Sequence, residues 1–308
     1  MHHKSFSFVL TLVTTNKKDY EVCFTFIKNV FNDRNVSIYK SNNLSNFALD
    51  IYFKCHIKDF NFMKKKIYSL NKKADLLMQK VKNRKKKLIA CDMDMTIINV
   101  ETINLINEKL IKNSRITNIT KDAMSGKINF RDSIIARTRL LKGINKSKIT
   151  SLIKQIRINK GVESVIKTMN NYGYHTMLIS GGYDLIAKSI GKKIGFKEIK
   201  CNTLEIVNDH LTGNLKDKIL DKKSKLLHIK NTIKRKNIKQ QFTMAIGDGD
   251  NDIDMIKFSG LGVAWNAYDK VKKAADVSIG FNFKSLLYFQ GYNDKEIVAT
   301  DLISKLQN

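Results

Sequence analysis

The nine residues LIACDMDMT, at positions 88–96, place two aspartates directly after a short apolar run. Such a run, ending at polar residues, is typical of a buried strand. Asp92 and Asp94 are two positions apart, so they leave the strand end on the same side. One carboxylate could then act as a nucleophile while the other carries a proton. Acidic turns after strands are common, so this pair alone is weak evidence.

Two further apolar runs, Thr176–Ile179 and Phe242–Ile246, each end at a polar or glycine-rich turn before a helical pattern. This alternation predicts an α/β fold with a doubly wound, Rossmann-like parallel sheet. Functional residues of such sheets lie at the carboxyl ends of the strands. An insertion at about 102–158, with a turn-like Ser125–Lys127, predicts a helical cap over that edge.

The first 80 residues predict a smaller domain. Alternating apolar residues from Phe6 to Leu12 indicate a half-buried strand. A helix, two strands separated by an Asn-rich break at 41–46, and a second helix follow, at Asp19–Phe31, Val36–Tyr39, Phe47–Cys55 and Phe60–Leu70. This order is that of a ferredoxin-like α+β module. We therefore divide the chain into residues 1–80 and 81–308.

The loop GDGDND, residues 247–252, supplies a second acidic group after a predicted strand. In a parallel sheet, Asp92, Asp94, Asp248 and Asp252 would converge at one edge. Four carboxylates so close would repel each other unless a cation joined them. Oxygen ligands without nearby His or Cys favour Mg²⁺. Solvated acidic turns on an ordinary sheet remain the alternative.

The turn Ser180-Gly181-Gly182 also follows a predicted strand. Its glycines allow close backbone approach, and a helix N-terminus offers N–H groups to a phosphate. Such a turn is by itself more often only a turn. A phosphate site also needs a cationic side chain, but composition cannot choose one lysine from the run at 216–225.

Composition limits the class of protein. The chain has 308 residues, 43% of them apolar, and a formal charge of +28. Its lysines are spread along the sequence, so nucleic-acid binding is not favoured. No apolar run reaches the roughly 18 to 20 residues that a membrane span needs, and we expect a cytoplasmic protein. The four cysteines, at positions 23, 55, 91 and 201, do not have the spacing of zinc ligands or of a disulfide framework.

Residues 85–295 resemble the haloacid dehalogenase-like phosphatases. The likeness lies in the order of the motifs DMDMT, SGG, a lysine and GDGDND. The cap segments ETINLINE and ITKDAMSGKINFRDSIIARTRLLKG, at 101–108 and 119–143, are similar to those of the branch that acts on phosphoserine. The resemblance implies a Mg²⁺-dependent hydrolase that cleaves this small-molecule phosphomonoester through an aspartyl-phosphate, as the last step of serine biosynthesis.

The resemblance also implies roles for the core residues. Asp92 would be the nucleophile, and Asp94 the general acid and then the general base. Mg²⁺ would lie between the Asp92 carboxylate, the Asp94 backbone carbonyl and Asp248, and Thr96 completes the motif. Ser180 and Gly181 would hold the phosphoryl oxygens, with Gly182 in support. The lysine at the family's distance before the GDGDND loop is Lys225. Asn251 would touch the phosphate, and Asp252 would orient Lys225 or a metal-bound water.

In the cap, the resemblance implies that Glu101 meets the substrate ammonium, Arg137 meets its carboxylate and Phe130 packs over the closed site. Surface charges and ordinary cap core are the alternatives for these three. Two positions depart from the family pattern. Met95 replaces the usual Ser, and Asp250 adds a carboxylate where a small neutral residue is usual, which puts fine specificity in doubt.

Several alternatives stay open from the sequence. The N-terminal domain has the element order of an ACT-type domain, and it could sense an amino acid or be a vestigial or dimerising domain without a ligand. The main domain could act on another small phosphorylated metabolite, as a phosphatase or phosphotransferase. A regulator that binds an amino acid without catalysis is the reading from a different functional class.

Overall fold

The computed structural model describes residues 6–34, 36–124 and 127–300, so most of the predicted turn at Ser125–Lys127 lies outside the described residues. The N-terminal unit contains four strands and two helices. They are β1 (Phe6–Val13), α1 (Lys17–Asn32), β2 (Ser37–Ser45), β3 (Ala48–Cys55), α2 (Ile57–Ile67) and β4 (Asp75–Lys80).

The N-terminal sheet is antiparallel, with the strand order β2-β3-β1-β4. Leu10 on the central strand pairs with Ile51 and with Met78, and it is fully buried together with Ile27 of α1 and Met63 of α2. Two helices covering one face of this sheet give the ferredoxin-like α+β fold, as predicted.

In this unit, one local prediction is wrong and one strand was missed. The Asn-rich segment 41–46 is no break, because β2 continues to Ser45 and turns only at Asn46 and Phe47. Asparagine has a low intrinsic preference for strands, but hydrogen bonds from this segment to β3 outweigh that preference and keep it extended. The strand β4 was not predicted at all, although its residues Leu76 to Met78 are buried.

The main unit contains a six-stranded parallel sheet with the order β12-β11-β10-β5-β6-β7. Ala90 at its centre pairs with Ala245 on one side and Met177 on the other. The loops that follow β5, β6 and β10 therefore meet at one edge. The strands are β5 (Leu88–Cys91), β6 (His175–Tyr183), β7 (Glu198–Asn202), β10 (Thr243–Gly247), β11 (Gly262–Trp265) and β12 (Val277–Ile279).

Helices and one antiparallel hairpin surround this sheet. The hairpin after β7 consists of β8 (Leu204–Val207) and β9 (His210–Leu215). The helices outside the insertion are α7 (Val162–Asn171), α8 (Asp184–Ile194), α9 (Lys222–Arg235), α10 (Ile253–Phe258), α11 (Asp269–Ala274) and α12 (Ser285–Tyr288). None of the helices in the described ranges is long and apolar enough to cross a membrane.

The helical insertion between β5 and β6 forms the cap. Its two ends meet where Ile98 bridges Ile158 and where the Asn99 amide donates to the Arg157 carbonyl at 3.2 Å. Its helices are α3 (Thr102–Ile106), α4 (Ser114–Met124), α5 (Phe130–Arg139) and α6 (Lys146–Ser151). Closely spaced ends let such an insertion move as one unit over the sheet edge.

Arg84 joins the two units. Its guanidinium donates to both oxygens of Asp50 at 2.6 Å and to the Thr11 hydroxyl at 2.8 Å, all in the N-terminal sheet. It also donates to the carbonyls of Tyr288 and Phe289, at 2.9 and 2.6 Å, in the main unit. Arg84 is 7% exposed and Asp50 is fully buried. Two buried charges in this geometry satisfy each other.

We predict that Arg84→Met lowers the free energy of unfolding by about 3–5 kcal/mol, because it leaves the Asp50 carboxylate buried without a counter-charge. Urea denaturation measures the change. The matched control is Lys17→Met, which removes the exposed Lys17–Glu21 pair at 3.8 Å and should cost no more than about 1 kcal/mol. Equal losses in the two variants would contradict the role given to Arg84.

Candidate active site

Three loops bring the predicted site residues together at the carboxyl edge of the main sheet. Asp92 follows β5, Ser180 lies near the end of β6, and Asp248 follows β10. The Asp92 amide donates to the Ile246 carbonyl at 3.0 Å, which extends the β5–β10 pairing up to the aspartate. Parallel strand order thus brings residues more than 150 positions apart in sequence into one site.

Lys225 connects two of the aspartates. It lies in α9, and its ammonium donates to Asp92 and, at 2.7 Å, to Asp252. Lys225 is 1% exposed. Burial alone would lower its pKa, but the charges and hydrogen bonds of Asp252 and Asp92 outweigh burial and raise the pKa. The structure therefore selects this lysine from a run in which composition could not.

Three carboxylates form a compact acidic group. Asp92, Asp248 and Asp252 each offer an oxygen within 4.8 Å of the others. Burial raises the pKa of Asp92; Lys225 opposes this shift, whereas the charges of Asp252 and Asp248 add to it. Burial, followed by the charge of Asp252, raises the pKa of Asp248 to about 7. One lysine cannot neutralise three carboxylates, so the group suits a divalent cation.

The Asp94 carboxylate lies apart from this acidic group. Its Oδ2 accepts hydrogen bonds from the Thr102 hydroxyl at 2.8 Å and the Thr102 amide at 3.3 Å. Its Oδ1 is buried and has no partner among the described residues. Burial and then the charge of Glu101 raise the pKa of Asp94, although Thr102 opposes the shift. This carboxyl is therefore biased toward its protonated form, with one oxygen free for a ligand.

Sequence reasoning missed Thr102, which orients Asp94. The signal was available in the segment ETIN, where Thr102 is the first residue of α3. Residues at the start of a helix have free amides, so a carboxylate can accept from both the amide and a side-chain hydroxyl there. The first motif also has Thr96, whose hydroxyl donates to Asp248 at 3.1 Å.

The cap packs directly on Ser180–Gly182. The sequence predicts a turn after Ile179, but β6 continues through these residues to Tyr183, with an irregularity in its pairing with β7 between Ile179 and Tyr183. We keep the name Ser-Gly-Gly turn for this irregular end of the strand. A Cβ on Gly181 would lie 2.8 Å from the tip of the Phe130 ring, so a side chain at this position would require the ring to shift. Within the turn, the Gly182 amide donates to the Ser180 hydroxyl at 2.9 Å, and the Gly181 carbonyl accepts from Asn202 at 2.8 Å. The structure thus has the cap closed over the turn.

Glu101 and Arg137 supply one acidic and one basic group from the cap side. Glu101 is half-buried, and burial raises its pKa while the charge of Arg137 opposes the shift. Arg137 is 8% exposed and donates from Nε to the Ser133 carbonyl at 3.3 Å. No carboxylate among the described residues forms an ion pair with Arg137, so its guanidinium remains available to a ligand.

The two departures from the family pattern lie outside the carboxylate group. Asp250 is exposed and pairs with Lys270 and, at 3.6 Å, with Lys222. Met95 is 45% exposed and adopts a left-handed backbone with φ of 55°. Asn251 is half-buried with its side chain against Gly249, and the structure records no hydrogen bond of Asn251 with other site residues among those described.

Comparison with known proteins shows which family the chain belongs to. Residues 89–257 match the family model of haloacid dehalogenase-like hydrolases. The phosphoserine phosphatase of Methanocaldococcus jannaschii is 37% identical over 196 residues, which cover 64% of this chain and 93% of that protein. The phosphoserine phosphatase of Streptomyces coelicolor is 32% identical over 222 residues, which cover 72% of this chain and 54% of that protein.

Solved structures agree on the fold. A phosphoserine phosphatase with an analogue of the phospho-aspartyl intermediate is 35% identical, with a TM-score of 0.62, and covers 67% of this chain and 99% of its own. A HAD family hydrolase from Salmonella enterica serovar Typhi is 24% identical, with a TM-score of 0.80, and covers 92% of this chain and 98% of its own. The latter shows the fold alone, with both units.

The family match covers more than half of the 308 residues. The aligned part spans about half of the Streptomyces protein and nearly all of the Methanocaldococcus protein. Together with the convergent aspartates and the buried lysine, these matches show that the chain belongs to the haloacid dehalogenase-like hydrolases.

Proposed function

We propose that this protein is a phosphoserine phosphatase, which hydrolyses O-phosphoserine to serine and phosphate. The observation that carries the proposal is the buried contact of Lys225 with Asp92 and Asp252, beside Asp248 and beneath a cap that offers Glu101. Relatives named phosphoserine phosphatase at 30–37% identity support the same substrate.

Magnesium fits the donor set. Asp92 and Asp252 are buried, Asp248 is half-buried, and all three offer oxygen atoms only. Burial, and then the charge of Asp252, raises the pKa of Asp248, and a bound cation would offset that charge. Asp92, the Asp94 backbone carbonyl and Asp248 would hold the ion. When bound, Mg²⁺ would neutralise charge on the phosphoryl oxygens and keep Asp92 ionised.

In the first step, an oxygen of Asp92 attacks phosphorus and the bond between phosphorus and the serine oxygen breaks. Asp94 donates its proton to that oxygen, so serine leaves neutral at its hydroxyl. The raised pKa of Asp94 favours this acid role. Lys225, Ser180 and the turn amides offset the negative charge that develops on the phosphoryl group.

In the second step, Asp94, now a carboxylate, takes a proton from water, and the water oxygen attacks the phosphorus of the aspartyl-phosphate. The bond to Asp92 breaks, phosphate leaves and the Asp92 carboxylate is regenerated. Asn251 would contact the phosphate, while Asp252 holds Lys225 in place. Acid–base help of this kind is commonly worth about 10²- to 10⁴-fold in rate.

Selectivity would come from the cap. Arg137 can grip the substrate carboxylate with two parallel hydrogen bonds, and Glu101 can accept from the ammonium. Phe130 lies over Gly181 and would keep water out of the closed site. Arg137 is buried and forms no ion pair with a carboxylate among the described residues, so a substrate carboxylate would supply a direct partner for its charge.

Three further proposals concern the setting of this activity. We place the reaction at the last step of serine biosynthesis and the protein in the cytoplasm. We also propose that the N-terminal unit forms a homodimer, which the mass of the full chain in solution tests.

We predict that Asp92→Asn reduces magnesium-dependent phosphate release from phosphoserine by at least about 1,000-fold, because an amide cannot act as the nucleophile. The matched control is Asp250→Asn in the second acidic loop, where the carboxylate is exposed and pairs with surface lysines. That variant should stay within about threefold of wild type. An unchanged rate in Asp92→Asn would end the nucleophile assignment.

We predict that Arg137→Ala lowers kcat/KM for phosphoserine by about 100-fold, the value of two charge-assisted hydrogen bonds. Hydrolysis of p-nitrophenyl phosphate, which has no carboxylate, should change less than about threefold. Arg139→Ala, an exposed arginine in the same helix, is the control and should affect neither substrate. Equal losses on both substrates would show that Arg137 has no part in recognising the carboxylate.

We predict that Mg²⁺ raises the thermal midpoint at pH 8 and much less at pH 5.5. Asp248, with a pKa of about 7, must lose its proton to bind the ion, so affinity should fall about tenfold per pH unit below 7. Without Mg²⁺, Asp248 keeps its proton up to about pH 7 in the folded state, whereas an aspartate in the unfolded chain loses it near pH 3.8. Stability contributed by Asp248 therefore declines as pH rises through about 7.

Scanning calorimetry with and without Mg²⁺ measures this effect independently of activity. Asp248→Asn should abolish most of the shift in midpoint, whereas Asp250→Asn should respond as wild type does. The proposed ion site is wrong if the shift is the same at both pH values, or if Asp250→Asn loses the shift instead.

A further inference from the structure

A buried hydrogen bond joins cap helix α5 to the end of strand β6. The hydroxyl of Tyr183, the last residue of β6, lies 2.9 Å from the hydroxyl of Thr138 in cap helix α5. Tyr183 is 3% exposed and Thr138 is 1% exposed. Among the described residues, it is the only side-chain hydrogen bond between α5 and β6.

The direction of this hydrogen bond follows from the other partner of Thr138. The Thr138 hydroxyl has one proton, and it donates that proton to the Ile134 carbonyl at 2.7 Å. Tyr183 must therefore be the donor to Thr138. Burial raises the pKa of Tyr183, so the phenol keeps its proton across the neutral pH range.

The bond connects two segments that meet the substrate in the proposed reaction. Tyr183 directly follows the Ser180–Gly182 turn, and Thr138 directly follows Arg137 in α5. The same helix carries Phe130 at its start, against Gly181. Helix α5 is therefore held at both ends: Phe130 packs on Gly181 at its start, and Thr138 bonds to Tyr183 near its end.

We propose that Tyr183 is a positioning residue, which holds α5 closed over the turn and so aligns Arg137 with the substrate carboxylate. The proposal rests on the proposed phosphoserine phosphatase activity. If the cap opens to admit substrate, this bond breaks and the Tyr183 hydroxyl loses its acceptor, while Thr138 keeps its bond to the Ile134 carbonyl; the lost bond favours return to the closed state.

The test is Tyr183→Phe in the full chain, which removes the hydroxyl and keeps the ring. One lost hydrogen bond predicts a decrease of about 5- to 10-fold in kcat/KM for phosphoserine, with a higher KM. Hydrolysis of p-nitrophenyl phosphate, which does not need Arg137, should stay within about twofold. A role in stability alone would lower the thermal midpoint and affect both substrates equally, which would overturn the proposal.

Thr138 provides matched variants at the other end of the bond. Thr138→Ser keeps an acceptor and should retain wild-type selectivity, whereas Thr138→Val should reproduce the Tyr183→Phe defect. The double variant Tyr183→Phe with Thr138→Val should be no worse than either single variant, because both remove one shared interaction. Additive losses would overturn the proposal.

Wild-type kinetics separate this inference from the function on which it depends. If wild type does not hydrolyse phosphoserine, the proposed function fails. If wild type is active and Tyr183→Phe matches it on both substrates, only the role of Tyr183 fails. If Tyr183→Phe does not fold, the comparison of Thr138→Ser with Thr138→Val decides the question in the same way.

Discussion

The ammonium of Lys225, held between Asp92 and Asp252, is the interaction on which the site depends. Three carboxylates at one sheet edge would repel each other, and burial makes each charge more costly. Lys225 offsets part of that charge, and because it is only 1% exposed, solvent screens its interaction with the carboxylates little. One lysine therefore reduces the repulsion among the three carboxylates without cancelling all of their charge. The remaining negative charge favours binding of a cation.

The sequence predicted much of the main unit because its signals are local. Short apolar runs before Asp92, Ser180 and Asp248 mark three of the strands, although β6 continues past its run to Tyr183. Order in a parallel sheet then brings the loops to one edge. The lysine was different. Composition could not choose among the lysines of the run at 216–225, the family resemblance pointed to Lys225, and its position on α9 shows that it reaches Asp92.

Features that depend on distant contacts escaped sequence reasoning. The strand β2 continues through an Asn-rich segment because β3 supplies its hydrogen bonds, and no local propensity reports this pairing. Thr102 and Tyr183 act through partners 8 and 45 positions away, on elements that only the fold brings together. The roles of Glu101 and Arg137 came from the family resemblance, and the structure adds their burial and their charge environment.

The contact of Phe130 with Gly181 also has a consequence for how this protein can vary. The ring lies where any larger residue at position 181 would place its first side-chain carbon. A side chain at position 181 would therefore require the Phe130 ring to move, although the two positions are 51 residues apart. A substitution in the turn would thus be felt in the cap helix α5, and a substitution at position 130 would change the room available at position 181.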